Sequence, residues 1–170
     1  TRWLEKTPGH QKSLGEIFGW YPEARVAAIV RHPEKAIISR RANFAFNDEI
    51  SWPIEQHARL WVESVLNIED ALRTHDGSVA LVRLEDLAGD HLAEIRRICL
   101  TLGIPFDPGH LADRRHLSNT AFHSWETWKA DAGGDVSRNL AERTEWALSA
   151  RDRAALLAVA GEVMARYRYA

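Results

Sequence analysis

The chain has one cysteine, one methionine and no apolar run approaching the length of a membrane span. Cys99 alone excludes an internal disulfide and fits a reducing compartment. A membrane helix needs about 20 consecutive apolar residues, and no secretory leader is visible, so a cytoplasmic protein with no membrane partner is expected. An excess of one charge is absent too. Lys and Arg number 22 against 24 Asp and Glu, a net charge of −2, which removes any global pull toward nucleic acid. No His-x-x-x-His or Cys-x-x-Cys pair occurs, so no metal site is expected. There is no Gly-x-Ser-x-Gly elbow and no Gly-Lys-Ser/Thr phosphate loop. Gly133-Gly134 follows no strand pattern.

At 170 residues the chain reads as one domain with a real core. Strand and helix patterns alternate, as in a parallel α/β sheet. Strands are expected near Arg2–Glu5, Arg25–Arg31 and Ser78–Leu84. Helices are expected over Gln11–Gly19, Pro33–Asn43, Pro53–Thr74, Asp90–Leu102 and Ala150–Tyr167. In Pro53–Thr74, which has Ser51 near its start, apolar residues recur at Ile54, Leu60, Trp61, Val65, Ile68 and Leu72, an amphipathic spacing. Asp90 is the expected N-cap and Gly103 the expected stop of the next helix, with Leu92, Ile95, Ile98, Cys99 and Leu102 as its buried stripe. Ser149 with Asp152 resembles a capping box for the last helix. Ile104–Glu142 shows no clear period.

Candidate chemistry gathers at two strand ends. Val26-Ala27-Ala28-Ile29-Val30 reads as a buried strand that runs into Arg31-His32-Pro33, with Ser39 further along. The Arg fork suits phosphate oxygens. Pro33 opens a helix whose first N–H groups and dipole favour an anion. The alternative is plain packing with an exposed Arg. Upstream, the Pro8-Gly9 turn leaves Lys6, Thr7 and His10 near the end of the first strand. Ligands of open α/β sheets gather at the carboxyl ends of strands, so the two ends are expected to face one crevice.

Glu5-Lys6-Thr7-Pro8, then a helix, then a strand ending in Arg31-x-Pro33 with Ser39 eight positions after the Arg, resembles the sulfotransferases that use 3′-phosphoadenosine 5′-phosphosulfate (PAPS), more the bacterial and carbohydrate-type branches than the small-phenol branch. Leu84-Glu85-Asp86-Leu87, Gly103-Ile104-Pro105, Ser137-Arg138 and the last helix continue the likeness along nearly the whole chain. The resemblance implies a three-layer fold like that of P-loop nucleoside triphosphatases. It also implies that the chain corresponds to the C-terminal two-thirds of such a domain, with the Gly-rich 5′-phosphosulfate loop and the first strand not among its residues. A second chain or a further N-terminal segment would then complete the sheet.

By the same resemblance, Arg31 and Ser39 would hold the 3′-phosphate, and Lys6 would lie beside the phosphosulfate or the leaving oxygen. Glu5 and His10 are the nearest candidate bases. Ser137, Arg138 and Lys129 would cover the nucleotide. Each has a plainer reading: a surface Arg with a helix-packing Ser, a solvated Lys, local pairing by Glu5, a loop histidine, a polar loop. Trp125 and Trp128 are candidates for packing on an acceptor or on adenine, or for the core; Arg114-Arg115-His116 is a small basic cluster or a solvated face; and Glu85-Asp86 is expected to cap the helix that follows it. The implied reaction carries a sulfuryl group from PAPS to a small-molecule, glycan or peptide acceptor, leaves adenosine 3′,5′-bisphosphate (PAP) and needs no metal. The alternatives are a non-catalytic remnant that binds nucleotide or a protein partner, and a nucleotide kinase, which the missing Gly-Lys-Ser/Thr loop disfavours.

Overall fold

Two short apolar runs rich in β-branched residues form the strands, as their composition favours. β1 is Val26–Val30 and β2 is Val79–Arg83. They pair in parallel, Val26 opposite Val79 and Val30 opposite Arg83. A parallel pair needs a long crossover, here α2 (Pro33–Asn43) and α3 (Ile54–Thr74). A 3₁₀ turn, His10–Lys12, and α1 (Leu14–Trp20) precede β1; α4 (Leu84–Gly89), α5 (His91–Leu102) and α6 (Ala150–Arg166) come after β2. The computed structural model describes residues 3–7, 9–43, 51–109 and 147–169. Within them, the protein is a small parallel two-stranded sheet flanked by helices, consistent with the expected α/β class.

Helices cover both faces of β2. On one side, α1, α3 and α6 enclose the main core with Phe18, Val30, Ile68, Val79 and Leu156. Ala58 on α3 and Ala160 on α6 are both 0 % exposed, small residues on two helices that pack together. On the other side Ala80 and Val82 are buried where α5, with its buried Cys99, lies against β2.

The helix ends follow their sequence signals. The Asp90 carboxylate accepts from the Ala93 N–H at 3.0 Å, and Gly103 closes α5 with φ at 61°, a conformation that favours glycine. The Ser149 hydroxyl accepts from the Asp152 N–H at 3.0 Å.

Several expectations need correction. Residues 3–7 form no strand, because no ladder partner lies beside them among the described residues. β1 is not buried on both faces: Ala27 and Ile29 are exposed, Ile29 by 55 %. The Val26 N–H donates to the Ser78 carbonyl at 2.8 Å. This sets the phase of the ladder, so Val26, Ala28 and Val30 turn their main-chain groups toward β2, while Ala27 and Ile29 turn theirs to the outer edge. The outer edge of β2 is covered instead, since Arg97 donates to the Leu81 carbonyl at 2.7 Å. Leu72 and Leu92 are exposed; on α3 the buried stripe continues through Ala71.

Candidate functional site at the carboxyl ends of the strands

Parallel pairing sets the two strand ends side by side. β1 runs into Arg31-His32-Pro33 and β2 into Leu84-Glu85-Asp86. His32 organises the first junction. Its ring Nδ1 accepts from the Glu34 N–H at 3.2 Å, and its carbonyl accepts from the Ala36 N–H at 2.9 Å. The imidazole thus caps α2, a task that Ser, Thr, Asp or Asn usually performs. One of the free first-turn amides, that of Glu34, is thereby taken, so an anion here would depend on side chains as well as on the helix terminus that the sequence implied.

Glu85 joins the two junctions. Its Oε1 accepts from the His32 N–H at 2.9 Å, and its Oε2 accepts from the Tyr169 hydroxyl at 2.7 Å. Burial raises the Glu85 carboxyl, but these two donors, with the Glu85 amide and the Arg83 charge, outweigh it and hold the group below its ordinary value. Burial and the Glu85 carboxylate together push the Tyr169 hydroxyl above its ordinary value. The Tyr169 ring meets His32 edge-on at 5.1 Å and lies under the Arg83 guanidinium at 4.6 Å, a cation–π arrangement. Arg83 also donates to Asp86 at 3.0 Å. Glu85 and Asp86 therefore do not cap the helix that follows them, α5, whose cap is Asp90; they lie in the first turn of α4 and reach across to the end of β1 and back to β2.

α3 ties these strand ends to the N-terminal turn. The Trp61 indole N–H donates to the Arg31 carbonyl at 3.1 Å. One turn further on, Ser64 accepts from the Gln11 side chain at 3.3 Å. Residues three apart share a helix face, so the turn after His10 and the end of β1 are held by one face of α3. Arg31 and Ser39 are half-buried. Lys6 and Glu5 are exposed, and the Thr7 hydroxyl donates to Glu5. His10 is half-buried at the start of the 3₁₀ turn, behind Gly9 with φ at 106°. Ser137, Arg138 and Lys129 lie outside the described residues, as do Trp125, Trp128 and Arg114-Arg115-His116. Among the described residues no cluster of His, Cys, Asp and Glu is arranged to hold a metal ion, and no helix is long and apolar enough to cross a membrane.

A model of the sulfotransferase family matches residues 1–108. The chain belongs to the sulfotransferase family. No curated protein and no solved structure matches it.

The matched span contains Lys6, Arg31, Ser39 and Glu85. Sequence reasoning passed over Trp61, His32 as a helix cap, Glu85 as a bridge and Tyr169. The capping role carried one signal, a polar residue directly before the Pro at the first helical position. Tyr169 carried none, because its place depends on how the last helix ends.

Proposed function

We propose that this sulfotransferase takes PAPS as donor and passes its sulfuryl group to a hydroxyl or amine of a small-molecule, glycan or peptide acceptor, releasing PAP. The observation that carries the reading is the seat of Arg31: a half-buried Arg at the end of a parallel strand, its carbonyl held by Trp61 and the next residue capping α2. A guanidinium presented from a fixed main chain suits the bidentate geometry of a phosphate. Arg31 and Ser39 are assigned to the 3′-phosphate, the group that distinguishes this donor from other adenine nucleotides.

In the transfer, the acceptor oxygen or nitrogen bonds to sulfur as the bond from sulfur to the 5′-phosphate oxygen breaks. Negative charge grows on that leaving oxygen. Lys6 is assigned to stabilise it, and Glu5 or His10 to take the acceptor proton. Ser137, Arg138 and Lys129 are assigned to cover the nucleotide. No metal enters the scheme, and the donor, not a nucleoside triphosphate with magnesium, separates this reading from a kinase.

A second reading, nucleotide binding without transfer, draws on the exposure of Lys6 and on the engagement of Glu5 by Thr7.

The test is calorimetric titration with PAP and with adenosine 5′-monophosphate. A charged hydrogen bond contributes about 1.5–3 kcal/mol, so PAP is expected to bind roughly ten to a hundred times more tightly, with the preference lost in Arg31→Ala. Equal affinities for the two nucleotides would overturn the assignment.

A further inference from the structure

We infer that Glu85 and Tyr169 form a clasp that positions Arg31, making Glu85 a positioning residue for recognition of the 3′-phosphate. The inference rests on the proposed function and deepens it. Glu85 lies at the end of β2, yet one carboxylate oxygen holds the main-chain N–H of His32, the residue after Arg31, at 2.9 Å. The other oxygen is held by Tyr169 at 2.7 Å, from the far end of the chain. Tyr169 in turn packs on His32 and Arg83. The peptide unit that joins Arg31 to His32 is therefore fixed from both sides, by Trp61 on the Arg31 carbonyl and by Glu85 on the His32 N–H.

Side-chain direction follows main-chain direction. An Arg whose flanking peptide is locked loses less freedom on closing around an anion, and the gain appears as affinity for that anion alone. Burial disfavours the Glu85 carboxylate, and the two donors are the first of the groups that offset that cost. The clasp depends on the turn that follows α6. Arg168 adopts φ of 58°, and the Tyr169 N–H bonds back to the Met164 carbonyl at 2.9 Å. That reversal aims Tyr169 at the strand ends.

The experiment measures the ratio of PAP affinity to adenosine 5′-monophosphate affinity in wild type, Glu85→Ala and Tyr169→Phe, each checked for folding by circular dichroism. The ratio is expected to fall about tenfold in Glu85→Ala and less in Tyr169→Phe, with monophosphate affinity unchanged. In an Arg31→Ala background Glu85→Ala is expected to change the ratio no further. If Glu85→Ala does not fold, Tyr169→Phe decides. An unchanged ratio in the folded variant, or an equal loss for both nucleotides, would overturn the inference. A wild type with no preference for PAP would overturn the proposed function and this inference with it; a wild-type preference that survives the loss of the clasp would overturn the inference alone.

Discussion

Arg168 holds a left-handed φ of 58°, a conformation that costs an L-residue about 1–2 kcal/mol and costs glycine almost nothing. Its amide and that of Tyr169 close the end of α6, so the geometry is needed whatever the side chain. Arg168→Gly is therefore expected to stabilise the protein by about 1 kcal/mol, a rise in Tm of roughly 2–4 °C; a lower Tm would contradict the account. No glycine marks this helix end, which is why the reversal was not legible. Gly103, with φ of 61°, was legible because it sits where the apolar stripe stops. Two carboxyls set the acid response. Arg153 and the Leu148 N–H, against the opposing effect of burial, hold Glu34 below its ordinary 4.5, and His32 and Tyr169 do so for Glu85. A carboxyl held low stabilises the fold fully above its ordinary value and loses that contribution as the pH falls through the lowered one. Urea midpoints measured from neutral pH down to acid should drop below about pH 4.5, and less steeply in Glu34→Gln. An equally steep drop would show that Glu34 is not a source of it.

β1 illustrates what periodicity conveys and what it omits. Five apolar residues in a row announce a strand, and the pairing with β2 bears that out. They also implied burial on both faces, which depends on what lies alongside and not on the strand itself. Exposure alternates along β1, since helices and β2 cover only part of it. The phase of the ladder predicts that the Ala27 and Ile29 amides exchange with deuterium ahead of those of Ala28 and Val30, read residue by residue. Uniform protection along β1 would mean that its outer edge is paired in solution. Residues 3–7 show the same limit from the other side. An apolar start and a Pro-Gly turn read as a strand, but a strand needs a neighbour. The lengths of α2 and α3 and the caps of α5 and α6 were legible because each rests on local chemistry: Pro at the first turn, Asp or Ser with a free oxygen, Gly at the end.

Taken as a whole, the molecule stands on the packing of α3 against α6. Leu156, 1 % exposed, lies in that core. Leu156→Ala is expected to cost about 2–5 kcal/mol, enough to unfold a sizeable fraction of a marginally stable protein. A loss below about 1 kcal/mol, closer to that of a surface change, would place the core elsewhere. The same packing brings Tyr169 to the strand ends, 84 positions along the chain from Glu85. Sequence order shows the motif pieces around Arg31 and Glu85 but not that the far end of the chain closes on them, because that contact is purely tertiary. The central claim is that the nucleotide's 3′-phosphate is read at the start of α2. The direct measurement is amide NMR mapping with PAP, using adenosine 5′-monophosphate as the reference. The account predicts that the shifts specific to PAP gather over Arg31 to Ser39 and at Glu85. Specific shifts that leave this turn unmoved and fall elsewhere would contradict it.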